Sequence, residues 1–230
     1  MSAESVEIIP TCVPSDAADL ATKAAAIRPF ASTIHIDITD GTFTSSCTWP
    51  YQKKDTYSSF DLSVAHELEK EIHLMVQDPR EIGIQFARAG AFRILGHVEA
   101  FENEDDAHGA LDAWRHAGAR EVGLGLLWET PFEMLEHHAL IMDVVHIMSI
   151  ARIGTQGIPY EPSAPERVRA FHETHPDMLI SVDGGVAESN IADLVRAGAR
   201  RFGVGSALAK APDPVAAFQN LKTLAENATL

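Results

Sequence analysis

A chain of 230 residues with 46% hydrophobic and 22% charged side chains has enough apolar material for a large core, which excludes intrinsic disorder. Its 18 basic against 33 acidic residues give a formal charge of −15, which argues against nucleic acid or an anionic membrane as partner, so any phosphate must be held by a local device. Met1 to Pro10 lack a basic segment followed by an apolar one, and nowhere do about 18 apolar residues run together, so a cytoplasmic protein is expected. Cys12 and Cys47 are too few for a disulfide scaffold and lack the close pairing of a zinc site; both read as incidental thiols, with Cys47 in a loop that could border a site.

In chain order, short and mostly apolar segments predict strands at Val6 to Pro10, Thr33 to Ile38, Glu71 to Val76, Phe92 to Val98, Glu121 to Leu127, Val144 to Ile150, Met178 to Val182 and Arg201 to Val204. The triplet Ala-Gly-Ala recurs at Ala89 to Ala91, Ala117 to Ala119 and Ala197 to Ala199. Each follows a helical stretch (Pro79 to Arg88, Glu104 to His116, Ala187 to Arg196) and precedes a strand. Glycine just past a helix end supplies the left-handed cap that turns the chain back. Helix starts are signalled by Asp78 before Pro79, by Ser163 in capping-box spacing to Glu166, and by Asp213 before Pro214. Between Gly41 and Glu69 the pattern is polar and aromatic, with a helix expected only near Phe60 to Leu68. With no linker or low-complexity segment, eight β-α units predict one α/β domain over residues 1–230, a single (β/α)8 TIM barrel rather than an open doubly wound sheet.

In such a barrel the active site lies at the carboxyl ends of the strands. His35 and Asp37 are two apart on one strand and point to the same side; His73 lies within the next, and Asp183 ends the seventh. Two imidazoles and two carboxylates form a mixed nitrogen and oxygen set suited to one divalent ion, Zn²⁺, Fe²⁺, Mn²⁺ or Co²⁺. His97 and His146 also fall on strands and read as hydrogen-bonded core or supporting residues, while His66, His108, His116, His137, His138, His172 and His175 read as surface. Gly184-Gly185 and Gly205-Ser206 follow the seventh and eighth strands, where barrels hold phosphate on backbone amides.

Along nearly its whole length the chain resembles the ribulose-phosphate 3-epimerase family. Ile34-His35-Ile36-Asp37-Ile38-Thr39-Asp40-Gly41, His73-Leu74-Met75-Val76 and Val182-Asp183-Gly184-Gly185 are similar to its signatures on strands two, three and seven. Met148-Ser149 resembles the end of its strand six, and Val204-Gly205-Ser206-Ala207 its phosphate loop. The resemblance implies that His35, Asp37, His73 and Asp183 hold the metal, that Asp37 and Asp183 are the acid and base, and that Met75 and Met148 are two of three methionines walling the intermediate. It also implies a homo-oligomer.

Departures from the family concentrate where substrate would be held. Thr39 replaces the first methionine, Thr11 a serine, Thr44-Ser45-Ser46 a Val-Pro-Asn stretch and Leu127-Trp128 an Asn-Pro pair. The lid becomes Arg152-Ile153-Gly154-Thr155-Gln156-Gly157, in which Arg152 could clamp a second anionic group. The expected function is metal-dependent inversion of C3 in a phosphorylated ketose, by default D-ribulose 5-phosphate to D-xylulose 5-phosphate. The alternatives are a related substrate such as a hexulose 6-phosphate, a lyase or decarboxylase, disfavoured by the lack of a strand-end lysine, and a non-catalytic sugar-phosphate-binding barrel.

Overall fold

The computed structural model describes residues 5–154 and 157–229. The segment Thr33–Thr39 is buried along its entire length, as a parallel strand covered on both faces must be. It is one of eight: β1 (Glu7–Cys12), β2 (Thr33–Thr39), β3 (Glu69–Met75), β4 (Arg93–His97), β5 (Glu121–Leu126), β6 (Val144–Met148), β7 (Leu179–Asp183) and β8 (Arg201–Val204). They close a barrel in sequence order, every pair parallel, with β1 bonded to both β8 and β2. The expected (β/α)8 architecture is therefore the one observed, with strand ends shifted by one or two residues. Register sets what meets inside: Asp37 stands opposite His73, His146 opposite Ser181, and Met148 opposite Asp183.

Around the barrel lie α1 (Ala17–Ile27), α2 (Arg80–Arg88), α3 (Glu104–Ala117), α4 (Ala164–Thr174), α5 (Ile191–Arg196), α6 (Ser206–Ala209) and α7 (Pro214–Asn227). The glycines of the three Ala-Gly-Ala triplets take φ values of 94°, 124° and 116°, the left-handed turns their position requires. Asp213 caps α7 by accepting from the Ala216 N–H at 3.0 Å. Trp114 of α3 is fully buried where α2 and β4 present Gly83 and Gly96; a Cβ on either would come within 2.2 and 2.7 Å of its ring.

Several local expectations are corrected. Phe60 to Leu68 is not a helix but a chain with a single 3-10 turn at Ser63–Ala65. Phe60 instead stacks on Phe86 of α2, centroids 4.2 Å apart, and Asp61 accepts from the Ser63 N–H, tightening the turn. A hairpin of Tyr51–Lys53 with Thr56–Tyr57 precedes it. Asp78 does not cap α2; it sits at φ 52° and Pro79 takes the cap position without a side-chain bond. Ser163 occupies the α4 cap position but makes no capping bond. α5 starts at Ile191 rather than Ala187 because Asn190 accepts from the Ala187 N–H and donates to the Gly185 carbonyl, holding a turn there. After β5 the connection is a 3-10 segment, Phe132–His138, that buries His138, a residue expected at the surface. Cys12 is buried and Cys47 exposed, both free. Among the described residues, no helix is long and apolar enough to cross a membrane.

Candidate active site

A cavity of about 170 Å³ opens at the carboxyl ends of the strands. Thr11, Asp37, Thr39, Met75, Met148 and Asp183 line it from the strand ends, and Gly154, Gly157, Gly184, Gly185, Gly205 and Ser206 from the loops. Of the residues expected at the site, His35 and His73 are fully buried, outside the cavity lining. Arg152 is exposed and does not line the cavity, and Thr155 and Gln156 lie outside the described residues.

The four titratable residues singled out by sequence come together. Asp37 Oδ1 lies 3.1 Å from His35 Nε2 and 2.9 Å from His73 Nδ1, and Asp183 Oδ2 is 3.9 Å from His73 Nδ1. A fifth residue joins them: His35, His73, His146 and Asp183 each place a ligand-type atom within 4.8 Å of the others. From the sequence His146 reads as a core or supporting residue. The signal was present in its parity, two residues before Met148 on β6 and so on the same side of the strand.

The outward nitrogens of the imidazoles are tied down. His35 Nδ1 donates to Glu71 Oε1 at 2.5 Å, and His73 Nε2 is 2.8 Å from His97 Nε2, with Glu99 3.5 Å beyond His97 Nδ1. His35 Nε2 and His73 Nδ1 are thereby left facing the aspartates, as ligand imidazoles are oriented by carboxylate or backbone partners behind them. This donor set fits a divalent ion. Gly125 of β5 lacks the Cβ that would press to 3.2 Å against the His97 ring, which leaves room for that relay.

Burial and charge set the two aspartates apart. Burial alone would raise Asp37, but His35 and His73 outweigh it and hold its carboxyl well below the usual range. Burial lifts Asp183, the attraction of His35 only partly offsets this, and repulsion by Asp37 adds to it, leaving Asp183 above the ordinary aspartate value. Divergent carboxyls at one centre suit complementary proton-transfer roles. For His146, burial and the neighbouring imidazoles push the pKa well below the histidine range, so it stays neutral.

At the amino-terminal end of the barrel a charged network replaces an apolar plug. Arg93 bridges Glu71 and Glu121, the latter at 2.7 Å, and Arg201 bridges Glu7 at 2.7 Å and Glu121 at 3.1 Å. Because Glu71 also holds His35, the network supports the site above it.

The loops that depart from the family pack on one another. Ser46 Oγ donates to the Gly154 carbonyl at 2.5 Å and lies 3.3 Å from Thr39 Oγ1, while a Cβ at Gly154 would meet Thr44 at 2.5 Å. The substituted strand-two loop is thus packed on Gly154 of the segment after β6. Trp128 packs under the Arg167 guanidinium, 5.5 Å from its ring centre, and is not among the residues lining the cavity.

Gly203 of β8 gives Asp183 its place, since a Cβ there would come within 2.8 Å of Asp183 Oδ1. Gly203→Ala is expected to leave the fold intact but displace this carboxylate, lowering kcat on the order of 10²-fold with a smaller change in KM. Steady-state kinetics beside a thermal melt would check this; unchanged kcat in a folded variant would contradict it.

A closed (β/α)8 barrel whose strand ends converge a His/Asp cluster able to hold a metal, under a glycine-rimmed cavity, defines the class of molecule. A sequence model of the Ribulose-phosphate 3 epimerase family matches residues 7–209, and the chain belongs to that family, an isomerase of the carbohydrate-epimerase type. It is 32% identical over 204 residues to the ribulose-phosphate 3-epimerase of Aquifex aeolicus (strain VF5), covering 87% of each chain. It is 30% identical over 227 residues to that of Mycobacterium tuberculosis (strain ATCC 25618 / H37Rv), covering 97% of this chain and 94% of the relative. Among solved structures it is similar to 3-hexulose-6-phosphate synthase from Salmonella typhimurium, with TM-score 0.68 and 11% identity over 96% of this chain and 99% of that one. It is also similar to orotidine 5'-phosphate decarboxylase from Pyrococcus horikoshii OT3, with TM-score 0.61 and 17% identity over 95% and 98% of the two chains. At these identities the structural likeness concerns the fold alone.

Proposed function

We propose that the chain is a metal-dependent epimerase that inverts C3 of a phosphorylated ketose, interconverting D-ribulose 5-phosphate and D-xylulose 5-phosphate. The observation that carries this reading is the pair Asp37 and Asp183. They stand on β2 and β7, on nearly opposite sides of the barrel, yet both line one cavity and face one cluster of imidazoles.

His35, Asp37, His73 and Asp183 are the proposed holders of the divalent ion. When bound, it supplies Lewis acidity at the substrate's ketone, which acidifies the neighbouring C–H and stabilises the enediolate. One aspartate carboxylate then takes the C3 proton from one face, leaving its electron pair in the enediolate. The other, as the carboxylic acid, returns a proton to the opposite face, and the roles exchange in the reverse direction. Met75 and Met148 form an apolar wall that keeps water from the carbanionic carbon. The backbone N–H groups at Gly184-Gly185 and at the start of α6, Gly205-Ser206, hold the phosphate, which a chain of charge −15 needs because its bulk field repels the anion.

The test is solvent-deuterium incorporation at C3 of D-ribulose 5-phosphate with metal-reconstituted protein, run beside ketohexose 6-phosphates. Rapid exchange into the pentulose phosphate, abolished by chelation and restored by metal, is expected. No exchange with metal demonstrably bound would overturn the pentulose assignment, and exchange only into a hexulose 6-phosphate would transfer the chemistry to that substrate through the altered Thr39 and Thr44-Ser45-Ser46 surface.

A further inference from the structure

We infer that His146 is a further metal ligand, so that three imidazoles rather than two face the ion in this chain. The inference rests on the metal site proposed above and adds a residue to it.

His146 projects from β6 among the other candidates, its ring centre 4.7 Å from that of His73 and 5.7 Å from that of His35. It is fully buried. Its two nitrogens are differently employed. Nδ1 lies 3.0 Å from Ser181 Oγ, its register partner on β7, whereas Nε2 is buried with no hydrogen-bond partner among the described residues and lies 4.0 Å from Asp183 Oδ2. A buried ring nitrogen without a partner is unfavourable, and this one, unlike those of His138, is aimed at three other ligand-type groups. The Ser181 hydroxyl can accept from Nδ1–H, and in that tautomer the lone pair of His146 is on Nε2, the nitrogen that faces the cluster.

The spacing suits an ion. The four ligand-type atoms lie within 4.8 Å of one another, and donors about 2.0–2.1 Å from a tetrahedral Zn²⁺ would stand roughly 3.4 Å apart, so binding would draw the widest pair together by about 1.4 Å. His35 is backed by Glu71 and His73 by His97; Ser181 serves His146 in the same way. A third imidazole shifts the donor set toward nitrogen, which favours Zn²⁺, Fe²⁺ or Co²⁺ over Mn²⁺, an ion better matched to oxygen.

The test is proton NMR in water of the full chain loaded with Co²⁺ and labelled with ¹⁵N-histidine, since each ligated imidazole keeps one N–H that the unpaired electrons shift far from the normal range. Three such signals are expected, falling to two in His146→Leu. Competition with a chelator should show Co²⁺ affinity reduced on the order of 100-fold in that variant and about tenfold in Ser181→Ala, with Mn²⁺ affinity much less affected. Two signals in the unmodified chain, or Co²⁺ affinity unchanged in a folded His146→Leu variant, would overturn the role of His146 and leave the two-histidine site standing. No shifted signals at all would overturn the metal site itself. The count in the unmodified chain decides the matter even where the leucine variant does not fold.

Discussion

Asp183→Asn is expected to cut epimerisation sharply while sparing solvent exchange at C3 of one of the two epimers. If two carboxylates work from opposite faces, removing one base leaves the other able to deprotonate only the epimer whose C3–H points toward it. The enediolate formed can then return to the same epimer, carrying solvent deuterium, but cannot accept a proton on the far face. Epimerisation should fall roughly 10²–10⁴-fold, the usual contribution of one positioned acid or base. Asp37→Asn should show the mirror pattern, with exchange confined to the other epimer. Asparagine keeps the side-chain size and one oxygen, so the fold should hold, and metal content measured on each variant separates lost ligation from lost proton transfer. The assay follows conversion in both directions and deuterium at C3 by NMR. Exchange of the same epimer in both variants, or epimerisation undiminished in either, would rule out the two-aspartate arrangement.

Arg93→Leu should destabilise the protein by about 3–5 kcal/mol, the loss typical of breaking a buried ion pair by removing one partner. Arg93 and Glu71 are 2% and 1% exposed, so the Glu71 carboxylate would be left in the barrel interior with His35 as its hydrogen-bond partner and the weaker attraction of Arg201. For a chain of this length the melting temperature should drop roughly 10 °C. Its pH dependence follows from Glu71. Burial raises its pKa, but Arg93 and His35 outweigh burial and hold it well below the ordinary glutamate value of 4.5. A depressed carboxyl contributes stability that is fully present above the unfolded value and is lost as pH falls through the folded one. The gap between the two proteins should therefore be widest near neutrality and narrow below about pH 4.5, the unfolded glutamate value. Denaturant melts at pH 7 and at pH 3.5 would show it; a gap that widens on acidification would mean the Arg93–Glu71 pair is not the source.

Much of the barrel was legible because its signals are local. The left-handed glycines of the three Ala-Gly-Ala turns, the Asp213 cap and the apolar strands each depend on residues within a few positions of one another. The segment from Phe60 to Leu68 misled because Leu62, Ala65 and Leu68 recur every three residues; that spacing fits a 3-10 turn packed on the barrel as well as a helix. Ser163 and Asp78 have capping residue types, but the backbone they sit on aims neither side chain at the helix start.

By itself the sequence determined the number and order of the strands, and hence the barrel, and through two-residue parity it determined that His35 and Asp37 share a side. Parity along one strand says nothing about height relative to the next. Only closure of the barrel, which fixes register between strands, brought His146 to the level of His35, His73 and Asp183 and set its free nitrogen against them. The same register gathered Glu7, Glu71, Arg93, Glu121 and Arg201 into one neutralising network at the other end. In the linear chain each of these looks like an isolated charge on a strand, and its partner lies 22 to 194 residues away because that is how far a barrel carries the chain before returning it.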